Sequence, residues 1–182
     1  MDYFSIIHKY IPPNSPVYPY YIVHVTLVTA KALKIADHMG FSNEQKQFVE
    51  EAAMLHDIGI IRVNAADINC RGSLPYVMHI KEGKKILEAE GLASHARIAE
   101  NHFGIGGITK DEIEESGLKL PLEDIVCKQI EDKVISYSDL FFSKNPSKIF
   151  NESSVREVRE KIKNYGSRQQ QIFELWHHEF VG

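Results

Sequence analysis

Residues 52–60 read Ala-Ala-Met-Leu-His-Asp-Ile-Gly-Ile, so a histidine and an aspartate stand side by side inside an otherwise apolar run. A buried carboxylate costs several kcal/mol unless something pairs with it. Either this run surfaces at a helix end, or a cation lies beside it. Local signals frame it as the end of a helix. Ser42 stands at the N-cap with Gln45 three residues on for a capping box, the apolar spacing continues to about His56, and Gly59 supplies a stop.

Outward from that stretch, helical periodicity dominates. Residues 20–39 place Val28, Ala32, Ile35 and Met39 on one stripe, which Gly40 ends. Residues 61–73, rich in Asn, Asp and Gly, read as a loop. Helices are expected over 74–90 and 93–103, then a turn at Gly-Ile-Gly-Gly-Ile-Thr (104–109), which no strand precedes and which is therefore not a phosphate loop. Pro121 is expected to open a long helix from Leu122 to Phe142, and two last pieces cover 153–165 and 168–180. In these, Val155, Val158 and Ile162, then Ile172, Leu175 and Trp176, fall at core spacing. Strand-like alternation is nowhere sustained. The expected fold is all-α, a single-domain bundle of about 7–9 helices. Its core covers residues 20–145, and 146–182 form a C-terminal helical extension.

The 182 residues, 43% hydrophobic and 25% charged, suit one ordinary globular domain. A net charge of −4 argues against a general nucleic-acid binder but leaves room for a small anion in a locally positive pocket. Cys70 and Cys127 form no motif, so a reducing cytoplasm is the default compartment. The opening residues lack the basic-then-apolar pattern of a signal peptide. No apolar run approaches the ~20 residues that a bilayer-spanning helix needs. Oligomeric state stays open, a homo-oligomer included.

Four more polar residues sit on apolar helix faces: His24, His79, His102 and Asp139, each in a different predicted helix. With the doublet they make six groups from five segments, too many for ordinary hydrogen bonds to satisfy at once. A metal centre satisfies them together. Imidazole and carboxylate suit divalent Fe, Mn, Zn, Co or Ni, whereas Mg or Ca would call for an all-oxygen set. Two ions need a bridging carboxylate, a role open to Asp57. His95 competes with His102 for an inward position, while His8, His38, His177 and His178 are expected on the surface. The lysines of Lys81-Glu82-Gly83-Lys84-Lys85 read as a solvated face.

In this order the residues resemble the HD-domain metal-dependent phosphohydrolase superfamily, in its HDIG subgroup. Leu-His-Asp-Ile-Gly (55–59) matches the name-giving doublet, His79-Ile-Lys-Glu-Gly83 the His-x-x-x-Gly element, Asn101-His102-Phe-Gly the next histidine element, and the segment around Asp139 the distal aspartate. The resemblance spans roughly residues 20–145. It implies that His24, His56, Asp57 and Asp139 bind a first divalent ion, that Asp57 bridges, and that His79 and His102 hold a second. Asp57, His79 and His102 then carry catalysis, with hydroxide formed at neutral pH attacking a small phosphate ester or nucleotide. Cyclic-dinucleotide phosphodiesterases of the superfamily carry lysine directly after HD-x-G and a Gly-Tyr-Pro element. This chain has Ile60 and lacks the latter, so that substrate is not expected.

For phosphate contact, Arg62, Lys133 and Lys144 are nominated by proximity along the chain, ahead of Lys81, Lys84 and Arg97. Pocket walls are expected over 61–75, 104–121 and 143–152. Two rival readings share the ligand order: a di-iron oxygenase on the same scaffold, and a non-catalytic nucleotide-binding module.

Overall fold

The computed structural model describes residues 1–182. Nine α-helices carry the fold: α1 Tyr3–Tyr10, α2 Tyr18–His38, α3 Asn43–Leu55, α4 His79–Ala89, α5 Ala93–Asn101, α6 Lys110–Ser116, α7 Ile130–Asp139, α8 Val155–Ile162 and α9 Ser167–Val181. Short 3₁₀ segments at Ile58–Arg62, Ala66–Ile68 and Tyr76–Met78 fill the stretch between α3 and α4. Two minimal antiparallel pairs complete the chain: β1 Asn64–Ala65 with β2 Cys70–Arg71, and β3 Gly107–Ile108 with β4 Ile125–Val126. No helix is long and apolar enough to cross a membrane.

Two apolar clusters meet along α2. Val28, Ala32 and Ile35 join Ala53, Ile98, Val134, Tyr137 and Phe141 in one, to which α8 and α9 add Val158, Ile162, Phe173, Trp176 and Phe180. Tyr21 and Val25 join Ile7, Leu55, Ile58, Leu87 and Ala99 in the other. His24 stands between Tyr21 and Val25 of the second set, and the His56-Asp57 doublet between its Leu55 and Ile58, at the seam where the chain after α3 packs on α4.

Two glycines let the elements of that seam touch backbone to backbone. A Cβ on Gly59 would lie 2.0 Å from the carbonyl oxygen of His79 and 2.3 Å from the amide nitrogen of Gly83. A Cβ on Gly83 would meet Gly59 N at 3.5 Å, His56 O at 3.6 Å and the Ala99 Cβ at 3.2 Å. The glycine of the doublet and the glycine four residues after His79 therefore face one another. They set how closely the start of α4 approaches the end of α3.

The capping box at Ser42 and Gln45 is present. Other expectations change. The long helix expected from Leu122 to Phe142 is only Ile130–Asp139. Residues before it are drawn into β4, and Asp132 accepts hydrogen bonds from the amides of Lys128 and Gln129, fixing the helix start there. Gly107, at φ +80° and with Ile125 O 2.0 Å from where a Cβ would stand, permits the β3–β4 approach inside the expected turn. α6, within a region expected to be loop, starts at a capping box of Thr109 and Glu112. The helix expected over 74–90 begins as a 3₁₀ turn after Pro75 and turns α-helical only at His79. Leu175, placed at core spacing, is 63% exposed, because Phe173, Trp176 and Phe180 hold the buried stripe of α9. His177, expected on the surface, is half-buried and bonded to the Tyr137 hydroxyl at 2.7 Å.

α9 is tied back onto α6. Arg168 donates from Nε and Nη2 to the two Glu112 oxygens at 2.7 Å each, and Gln169 Nε2 donates to Oε1 at 2.7 Å. Burial alone would raise the Glu112 carboxyl, but Arg168, the Thr109 amide and Gln169 outweigh it and pull it down to about 2.

Gly59→Ala is expected to destabilise the protein by roughly 3 kcal/mol or more, since backbone rather than a movable side chain fills the space. Gly83→Ala should cost clearly less, and denaturant midpoints of the two variants test the order. For Glu112 the folded pKa lies below the unfolded value, so its contribution is full above pH 4.5 and fades toward about 2. The stability gap between wild type and Glu112→Gln should therefore close as pH falls through that window. A gap unchanged near pH 2 contradicts the pairing.

Candidate metal centre

The six residues converge. His24 projects from the middle of α2, while the other five stand at element ends. His56 caps α3, Asp57 precedes the 3₁₀ turn, His79 opens α4, His102 caps α5 and Asp139 closes α7. Asp57 and His56 are fully buried, and His24, His79 and His102 nearly so. The doublet that opens the question is thus inside the protein, and something must compensate its charge.

Three imidazoles are oriented the same way. His56, His79 and His102 each donate Nδ1–H to the carbonyl three residues earlier, Ala53 at 2.6 Å, Tyr76 at 2.7 Å and Ala99 at 2.8 Å. A carbonyl only accepts, so Nδ1 carries a proton in all three rings and each Nε2 is turned toward the cluster. Burial also pushes the His79 imidazole down to about 3, keeping it neutral. The Nε2 atoms of His79 and His102 face each other at 3.1 Å, and with Asp57 they form a group that could hold a common cation.

Asp57 divides the donors into two sets. Its Oδ2 lies 3.2 Å from His24 Nε2 and 3.6 Å from His56 Nε2. Asp139 Oδ1 joins that set at 2.9 Å from His24 and 3.7 Å from His56. Asp57 Oδ1 lies 3.6 Å from His79 Nε2 and 3.5 Å from His102 Nε2. Although close, the His24 and His56 Nε2 atoms and both Asp57 oxygens lack a hydrogen-bond partner of acceptable geometry. One ligand atom each from His24, His56 and Asp57, and likewise from Asp57, His79 and His102, lie within 4.8 Å of one another. Ligands held about 2.0–2.2 Å from one tetrahedral ion stand roughly 3.3–3.6 Å apart. The spacings therefore fit a divalent transition ion in each set.

Lys144 supplies the one full positive charge. Its Nζ is 2.5 Å from Asp57 Oδ2, and its side chain is largely buried. Burial opposes ionisation of both partners, yet each keeps its charge. Lys144, then His56, hold the Asp57 carboxyl well below the usual carboxylate range. Asp57, followed by Tyr76 and Asp139, raise the Lys144 ammonium. Asp139, beside His24, His56 and Lys144, likewise stays ionised against the effect of burial.

The cluster opens onto a cavity of about 920 Å³, with His79, His102, Asp139 and Lys144 on its wall. Of the three cations nominated for phosphate contact, only Lys144 is there; Arg62 is exposed and Lys133 half-buried, both outside the cavity. Lys81 and Lys84, expected on a solvated face, both bind Glu100, at 2.5 and 2.7 Å, and Arg97 binds Asp132 at 3.0 Å. His95 turns away from the cluster to Glu51 at 3.4 Å. The expected wall segments contribute Ala65, Asp67 and Ile68, Gly104 to Leu118 in part, and Ser143 to Asn145. Sequence reasoning missed Lys161, Asn164, Tyr165 and Gln169. Nothing in their local sequence marks them, since they reach the cavity only through the packing of α8 and α9.

Known proteins share parts of this architecture. Over 119 residues, 65% of this chain, it is 32% identical to a tRNA (cytidine(56)-2'-O)-methyltransferase of Picrophilus torridus, of whose length it spans only 30%. The HD domain of the phosphodiesterase PgpH of L. monocytogenes superposes with a TM-score of 0.55 at 17% identity, covering 90% of this chain and 82% of that one. The same domain in complex with cyclic-di-AMP gives 0.54 at 17% identity, over 91% and 82%. Residues 21–141 match the HD domain family, and with the doublet and its partner ligands brought together inside that span, the chain belongs to it.

Proposed function

We propose that the chain is a divalent-metal-dependent phosphohydrolase acting on a small phosphate ester or nucleotide. His24, His56, Asp57 and Asp139 would hold one ion, and Asp57, His79 and His102 a second. The observation that carries this reading is Asp57, whose two oxygens face two separate sets of imidazoles. Family membership and a phosphodiesterase of the same fold support it. A relative named for a reaction on tRNA and a neighbour that binds cyclic-di-AMP favour a nucleotide among phosphate esters. Ile60 is fully buried where lysine is expected in cyclic-dinucleotide phosphodiesterases, so the proposal does not extend to that substrate.

Bound divalent ions supply Lewis acidity to the phosphoryl group and to the water that attacks it. The chain's own residues do the rest. Backbone carbonyls of Ala53, Tyr76 and Ala99 fix three imidazoles with Nε2 inward, so the donor set is organised before any ion arrives. Lys144 keeps Asp57 ionised and has two further N–H groups for a phosphoryl oxygen at the cavity wall.

Without metal, Lys144→Met should leave Asp57 buried with less compensation and lower stability by about 3–5 kcal/mol. A divalent ion should restore most of it, and denaturation with and without Mn²⁺ reads both. A metal-free variant as stable as wild type contradicts this role. Turnover of p-nitrophenyl phosphate or its bis ester should vanish on chelation, return with Mn, Co, Fe or Zn, and fall at least about 10³-fold in Asp57→Ala. Elemental analysis should find two ions per chain, and one after His79→Ala with His102→Ala. A broad ester panel giving no turnover with any of these metals removes the hydrolase reading.

A further inference from the structure

The family match ends at residue 141, but the cavity at the metal cluster does not. Lys161, Asn164, Tyr165 and Gln169 complete its wall from α8, the turn after it and the start of α9. This wall is anchored rather than loosely apposed. Arg168 and Gln169 clamp Glu112 of α6, and Arg168 Nη2 also donates to Gly107 O at 2.7 Å.

We infer that this wall is a base-binding subsite and that the cavity takes a nucleoside monophosphate, its phosphoryl group at the cluster and its base against Tyr165 and Asn164. The inference rests on the phosphohydrolase reading above and narrows it. Three observations lead to it. The first is size: a cavity of about 920 Å³ is far larger than a phosphate group and sits within the range of small-molecule sites.

The second is charge. The only cations on the wall are Lys144 and Lys161, and Lys144 is already bound to Asp57. Asp67, Glu112 and Glu115 line the same cavity, with Glu112 compensated by Arg168. Beyond the cluster, then, the wall has no excess positive charge. Each additional phosphoryl group of a di- or triphosphate would need its own cationic partners and would meet carboxylates instead. The third is the chemistry of the remaining surface. Aromatic side chains, on which a planar base stacks, line the cavity at Tyr76, Phe103, Phe142 and Tyr165, the last 49% exposed, and the Asn164 amide supplies both a donor and an acceptor for a base edge. A sugar or alkyl phosphate uses neither. Hydrolysis forms a P–O bond to the oxygen of water and breaks the ester P–O bond. The nucleoside hydroxyl takes a proton, and inorganic phosphate is released.

The test compares AMP, GMP, CMP and UMP with ribose 5-phosphate, ADP and ATP on the metal-loaded full chain. At least one nucleoside monophosphate should exceed both ribose 5-phosphate and its own di- and triphosphate roughly tenfold in kcat/KM. Tyr165→Ala and Asn164→Ala should raise its KM, the former about tenfold, with little change in kcat. Phe150→Ala, exposed and outside the cavity, should not. Equal use of ribose 5-phosphate, a preference for the polyphosphate, or a KM untouched by both variants overturns the subsite. Calorimetric titration separates this from the hydrolase reading. A nucleoside monophosphate that binds and is weakened by Tyr165→Ala supports the subsite even without turnover. No binding by any of them, while p-nitrophenyl phosphate is hydrolysed, removes the subsite and leaves the hydrolase.

Discussion

An ionised carboxylate with no solvent exposure governs this structure. Asp57 lies between the buried Leu55 and Ile58 of one apolar cluster, and its charge cannot be neutralised by water. Compensation must come from groups built into the fold, and desolvating a lone partner would cost as much as it returns. The protein meets the demand by convergence. Three imidazoles turn Nε2 inward, a fourth stands near both carboxylates, and one ammonium touches Oδ2. The ammonium reaches only one of the two oxygens, and the donor atoms gathered around the other could hold a cation.

That arrangement explains why the helices end where they do. Five of the six candidate ligands are at element termini, where backbone carbonyls of the last turn lie free to accept an imidazole N–H. The hydrogen bonds to Ala53 and Ala99 thus do two things at once. They satisfy carbonyls near the ends of α3 and α5, and they turn His56 and His102 inward. The Gly59–Gly83 approach belongs to the same economy, because any side chain there would push His79 away from the carboxylate it must face. Asp132 extends the support, binding Asn101, the residue before His102, together with Arg97 and the amides that start α7.

Features whose cause is local were readable from sequence, and those whose cause is remote were not. Ser42 and Gln45 form the capping box their spacing announces. His24 could be singled out because an imidazole on an apolar stripe lacks any local partner. The start of α7, by contrast, depends on a strand pair with Gly107 and on an aspartate bound to α5, neither visible near Pro121. Thr109 and Glu112 carried the same capping pattern as Ser42 and Gln45, so α6 was legible and overlooked. Proximity along the chain located Lys144, five residues past Asp139, but failed for Arg62 and Lys133, whose side chains leave the seam. A helix turns a side chain away within two residues. Nearness in sequence therefore becomes nearness in space only where the backbone reverses, as it does after α7.

The two halves of the cavity differ in how they came to be specified. The cluster draws on residues inside 21–141, where the demand of a buried charge restricts each position to an imidazole or a carboxylate. The opposite wall comes from α8 and α9, whose attachment depends on Phe173, Trp176 and Phe180 in the core and on Arg168 at Glu112. None of those anchors lines the cavity. Asn164 and Tyr165, which do, lie in the exposed turn between the two helices and contribute nothing to the core. They can be exchanged without disturbing either the buried cluster or the packing. The buried end of the cavity is thus constrained by charge, while the wall opposite it includes positions that the fold leaves free.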